Sequence, residues 1–197
     1  MDVMELRRRL MMGMQTGGLP GAYRRVEFLE SDGNQQINTN ITGLCDFHIT
    51  AKSEYASGTR ILVGRFYTGG HYIGTNTPSG TQTTYWSLGA GINTVTLATE
   101  WADMIVSFAS NTSVSLSVND EVINRVGLAN NNPYTLFGND IYKSIAKMKR
   151  CVCFQNGAIV TNFVPCVRKS DSKPGMYDTV SKTFYTNAGT GEFIVPN

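Results

Sequence analysis

The chain has 197 residues, 20 of them Gly and only 16% charged. That is long enough for one sizeable core, and the turn-rich composition fits an all-β protein better than a helical one. A net charge of +2 with a pI near 8.3, its Lys and Arg scattered apart from one short cluster, is too mild to argue for a nucleic-acid partner, and no stretch is long and apolar enough to span a membrane.

Residues 1–14, MDVMELRRRLMMGM, are good helix formers that stop at Gly13, which predicts a short N-terminal helix. Val3, Leu6 and Leu10 follow a three-then-four spacing and offer a seam for a partner. Arg7, Arg8 and Arg9 are either a solvated face or a patch that docks on an acidic surface of a larger assembly. So short a helix is marginal alone in water, so it must pack on something or fray. The apolar run after the arginines breaks at Gly13, short of the ~7–15 residues of a signal-peptide core. Residues 15–22 read as a flexible linker, and 23–197 as one β-domain.

Strands are predicted at 26–30 and 35–39 around a Ser31-Asp32-Gly33-Asn34 turn. The segment 47–55 alternates cleanly, with Phe47, Ile49, Ala51 and Tyr55 inward and His48, Thr50, Lys52 and Glu54 outward. Further strands are expected at 61–67, 83–88, 94–99, 134–138, 146–154, 158–165 (ended by Pro165) and 183–186. In 100–123 a Trp-led strand alternates Met104, Val106 and Phe108. A polar turn follows, then a strand alternating Val114, Leu116 and Val118 into an Asn119-Asp120 turn, which predicts an antiparallel hairpin. The cysteines are Cys45, Cys151, Cys153 and Cys166. Cys151 and Cys153 share a strand face and are too far apart to bridge, and His48 and His71 do not complete a zinc set. The expectation is four reduced, mostly buried thiols, as suits a reducing cytoplasm.

The 100–123 hairpin resembles the core hairpin of laminin-G-like domains in the concanavalin A-like group, with Asp120 where Gly is usual. YRRVEFLESDGNQQINTNI (23–41) and NGAIVTNFVPCVRKSDSKPGMYDTVSKTFYTNAGTGEF (156–193) resemble the opening and closing motifs of a laminin-G-like family of gut phages and prophages. Departures at Asp32-Gly33-Asn34 and Gln36 touch an exposed turn and strand. The resemblance covers most of 23–195 and implies a jelly-roll antiparallel β-sandwich built to bind rather than to catalyse. It implies a virion structural protein (head-fibre, decoration or tail-associated), made in the bacterial cytoplasm, held to other virion proteins by its N-terminus and adhering to host glycans. A homotrimer is plausible for a fibre. The alternative is a free-standing lectin-like module.

Carboxylate pairs of the glucanase kind are not expected: Glu100 and Asp103, like Glu27 and Glu30, are offset by three, which on a strand means opposite faces. The Gly-rich loop 67–74 holds Tyr67, His71 and Tyr72, which either contact a sugar or protein or simply cover the sandwich edge. No cofactor is expected. Calcium, common in laminin-G-like domains, has only Asp46, Asn130-Asn131-Asn132 and Asn139-Asp140 as candidates, in no dedicated spacing.

Overall fold

The computed structural model describes residues 18–54, 60–65, 72–77, 83–88, 94–108, 114–119, 121–125, 132–139 and 141–196. Among them are sixteen strands and no helix: β1 (Tyr23–Arg25), β2 (Leu29–Asp32), β3 (Ile37–Asn38), β4 (Asp46–Ser53), β5 (Arg60–Gly64), β6 (Tyr72–Asn76), β7 (Tyr85–Leu88), β8 (Thr94–Leu97), β9 (Ala102–Ser107), β10 (Val114–Val118), β11 (Glu121–Arg125), β12 (Thr135–Leu136), β13 (Ile145–Gln155), β14 (Ala158–Arg168), β15 (Pro174–Asp178) and β16 (Thr183–Thr186). The helix predicted over 1–14, with Val3, Leu6, Arg7, Arg8, Arg9 and Leu10, lies outside the described residues.

The strands form two antiparallel sheets. The larger has ten strands in the order β11-β10-β9-β4-β13-β14-β15-β16, with β1 beside β14 and β2 beside β13; the smaller runs β3-β12-β5-β6-β7-β8. Phe47, Ile49, Met104, Val106 and Leu116 from the first share one core with Leu62, Ile73, Trp86 and Leu136 from the second. The chain is therefore all-β and arranged as a β-sandwich, because each alternating strand has one apolar face to bury.

The predicted hairpin is present: β9 and β10 pair from Ser107↔Ser115 to Met104↔Val118, and β10 turns at Asn119 (φ 46°) into β11. Inward Met104, Val106, Phe108, Leu116 and Val118 are fully buried. In β4, Phe47, Ile49 and Ala51 point inward as expected, while Tyr55 lies outside the described residues.

Three expectations are corrected. Residues 26–30 are not one strand: the chain pairs with β14 up to Arg25, bends, and pairs with β13 from Leu29. Pro165 does not end β14, which runs to Arg168. Its carbonyl accepts the Val26 N–H at 3.1 Å, so its nitrogen faces the same side, just past the last β13–β14 pair, Cys151↔Phe163, where no ladder donor is required. Finally, Pro174–Asp178, where no strand was expected, is β15, buried along its whole length.

β13 and β14 separate beyond Cys151↔Phe163, and residues 23–32 fill the opening. The first and last described segments meet. Glu30 and Ile194 exchange two backbone hydrogen bonds of 2.9 Å. Asn187 clasps the same region: its Oδ1 accepts the N–H of Gln36 (2.9 Å) and of Gly189 (2.8 Å), and its Nδ2 donates to the carbonyls of Thr190 and Gly191. The long sequence motifs at the two ends are thus the residues that close the sandwich.

Candidate functional site

Of the loop residues singled out in the sequence, Tyr67 and His71 lie outside the described residues. Tyr72 is not in a loop: it opens β6, pairs with Gly64 and is 9% exposed. Asp46 accepts a hydrogen bond from Ser107 Oγ at 2.6 Å, and Asn139 Oδ1 accepts the N–H groups of Ile141 and Tyr142, so both serve local structure. Asn132 is exposed; Asn130, Asn131 and Asp140 lie outside the described residues. Among the described residues, no three His, Cys, Asp or Glu side chains converge as metal ligands would.

The structure brings together a different set, on the outward face of the large sheet. With Ala102 and Met104 turned inward, alternation sends Asp103 outward and places Trp101, just before β9, on the same side. Lys52 and Lys147 are outward residues of the adjacent strands β4 and β13. The β13–β4 ladder slips between Met148 and Arg150, which makes Lys149 the extra residue of a β-bulge. A bulge bends its strand and re-aims a side chain; here Lys149 Nζ stands 4.1 Å from the centre of the Trp101 ring and 2.8 Å from Glu27 Oε1.

Phe28, in the bend between β1 and β2, lies 6.0 Å from Trp101 with the rings tilted by 52°. Lys147 Nζ is 5.4 Å from the Phe28 ring, 3.3 Å from Glu30 and 3.6 Å from Glu54, and Lys52 Nζ is 5.7 Å from the Trp101 ring. A ring pair contributes about 0.5–1.5 kcal/mol beyond its buried area, and an exposed cation over a ring about 0.5–1 kcal/mol. These contacts orient both half-buried rings. Beside them Thr50 Oγ1 donates to Asp103 Oδ1 at 2.6 Å. Burial pulls the Arg150 guanidinium below its ordinary value, and the charge of Asp103 opposes that shift.

Glu27 and Glu30 were expected on opposite faces. Because the backbone bends between them, both reach the same outward lysine pair, each already engaged in an ion pair. A surface of two rings edged by alternating ammonium and carboxylate groups can stack on the apolar face of a sugar ring and hydrogen-bond its hydroxyls. A second ring cluster lies farther across the same sheet: Tyr23 is 4.8 Å from Tyr177 and 5.1 Å from Phe184, with Arg168 over Phe184 and paired to Asp171.

Sequence reasoning marked Trp101 and outward Lys52 but did not assemble the set. Lys147 and Lys149, two apart on a strand, were the signal for a shared face. What local pattern lacks is that β13 neighbours β4 and β2. No protein-family model matches the chain, and no curated protein matches it.

Proposed function

We propose that the chain is a non-enzymatic virion structural protein of a phage, a head-fibre, decoration or tail-associated part. Its sandwich is a concanavalin A-like jelly roll of the laminin-G-like kind, displayed outward, and residues 1–14 hold it to other virion proteins. The reading rests on the motifs at 23–41 and 156–193 for the class of protein. For the binding role it rests on one observation, the Phe28–Trp101 pair held in place by Lys52, Lys147 and Lys149. The ligand class is a host surface glycan, stacked on Trp101.

The test is binding to a glycan array by the whole chain and by Trp101→Ala. Retention by the chain and loss by the variant, with unchanged thermal unfolding, supports the reading; equal binding by both removes the platform from it. The same platform favours a second reading, a free-standing lectin-like module. Removing residues 1–20 separates the two: loss of incorporation into particles with glycan binding intact supports the anchor, and unchanged incorporation sinks it. Light scattering of the whole chain beside one starting at Tyr23 tests whether the leader also builds a homotrimer.

A further inference from the structure

We propose that the glycan taken by the Phe28–Trp101 platform is acidic, with its carboxylate held by Lys52; the inference rests on the glycan-binding reading and names the ligand class of that site. Three ammonium groups converge on the two rings. Lys149 Nζ stands 4.1 Å and Lys52 Nζ 5.7 Å from the centre of the Trp101 ring, and Lys147 Nζ stands 5.4 Å from that of Phe28. Lys52 and Lys147 are directly opposite each other in the β4–β13 ladder. Like charges facing each other across a ladder destabilise a sheet, and an anion beside them offsets that repulsion.

The protein's nearby carboxylates are engaged elsewhere. Glu30 and Glu54 lie 3.3 and 3.6 Å from Lys147, and Glu27 lies 2.8 Å from Lys149. Asp103 accepts the Thr50 hydroxyl at 2.6 Å, and its charge acts on Arg150. Among the described residues, Lys52 is the member of the lysine trio that makes no ion pair. Its ring contact lies close to the ~6 Å limit of a cation–ring attraction, so the ammonium stands beside Trp101 rather than tight upon it. It is nonetheless half-buried, between the strand that follows Trp101 and the strand that carries Lys147. Partial burial makes an unpaired charge costly, and an incoming carboxylate supplies the missing partner.

An acidic sugar matches both halves of this site. Its apolar face stacks on Trp101, the ring that Lys149 and Phe28 orient. A carboxylate at the rim of the sugar then meets the Lys52 ammonium beside the ring, in a charge-assisted hydrogen bond of about 2.7–2.9 Å. Stacking removes water from one side of that contact, which strengthens it. A neutral sugar makes the same stack but leaves Lys52 as it stands in the free protein. Uronic and sialic acids both carry the required carboxylate, and the arms of the test tell them apart.

The test titrates the whole chain calorimetrically with a uronic-acid oligosaccharide and with a sialic-acid oligosaccharide, each beside its carboxyl-reduced form. The reduced form keeps the ring and replaces the carboxylate by a neutral hydroxymethyl group. The expected result is that at least one acid binds on the order of tenfold more tightly than its reduced form, and that this ratio shrinks as salt is added. Lys52→Gln should bring the ratio close to one and Lys52→Arg should keep it. Lys169→Gln, in the exposed turn after β14, should leave it as in the unaltered chain. Equal binding of acid and reduced forms, still lost in Trp101→Ala, overturns the acidic assignment and leaves the glycan reading standing. A preference that survives in Lys52→Gln overturns it as well, and its loss in Arg25→Gln, an exposed cation of β1, then places the anion elsewhere on the sheet. Binding of neither form of either sugar overturns the inference and leaves the reading to the glycan array. Binding that Trp101→Ala does not weaken removes the platform from both.

Discussion

Asp178 is a buried carboxylate whose partners are backbone donors: Oδ1 accepts the N–H groups of Asn162 (2.8 Å) and Val180 (3.0 Å), and Oδ2 that of Ser181 (3.2 Å). Asp178→Ala leaves these donors without their acceptor and is expected to cost about 1–3 kcal/mol, read as a lower urea midpoint. Gly175 answers to space rather than to hydrogen bonding, since an added Cβ would stand 2.3 Å from the Tyr185 carbonyl and 2.8 Å from the Phe184 ring. Gly175→Ala should therefore unfold at clearly lower temperature than Gly21→Ala, whose Cβ meets nothing within 4 Å. Burial pushes the Cys166 thiol up from 9.0 to about 11, against the Tyr177 backbone and the charge of Arg25. A raised pKa means that the folded state holds this proton more tightly, so its stabilisation is whole below pH 9 and is lost as pH rises through about 11. Urea midpoints across that interval should fall less steeply in Cys166→Ala than in the unaltered chain.

The bulge at Lys149 governs the outward platform at the level of a strand. Deleting Lys149 would restore the regular β13–β4 ladder and withdraw the ammonium from Trp101. The variant is expected to show greater iodide quenching of tryptophan fluorescence, since Trp86 is fully buried and Trp101 carries the accessible signal. Strands β4, β9 and β10 were legible in the sequence because period-two alternation is local and each has one buried face. β15 was not: Pro174, Gly175, Met176, Tyr177 and Asp178 are buried on both faces, so they carry no alternation, and Pro and Gly are poor strand signals. The bulge and the bend at 26–28 were hidden for a related reason, since each is set by a neighbouring strand that the segment itself does not name.

For the whole molecule, the all-β class followed from composition and from period-two alternation, while the order of strands in each sheet did not. The platform depends on that order, because Phe28, Lys52, Trp101 and Lys149 come from four separate segments. The closing residues also serve the entire sandwich. Removing residues 187–196 takes away the Asn187 clasp and the Glu30–Ile194 pair, and should broaden or abolish the cooperative thermal transition rather than merely shift it. Long-range pairings of this kind are slow to form, and refolding on the millisecond-to-second scale is expected.

Residues 23–32 are among the first described parts of the chain, yet both strands they form have partners more than a hundred positions later, in β13 and β14. At roughly 5–20 residues per second, a ribosome needs on the order of 5–25 seconds after finishing β2 to deliver β13. Throughout that interval the segment holds Val26, Phe28 and Leu29 without a sheet to receive them, so these apolar residues wait in the company of whatever chaperone attends the nascent chain.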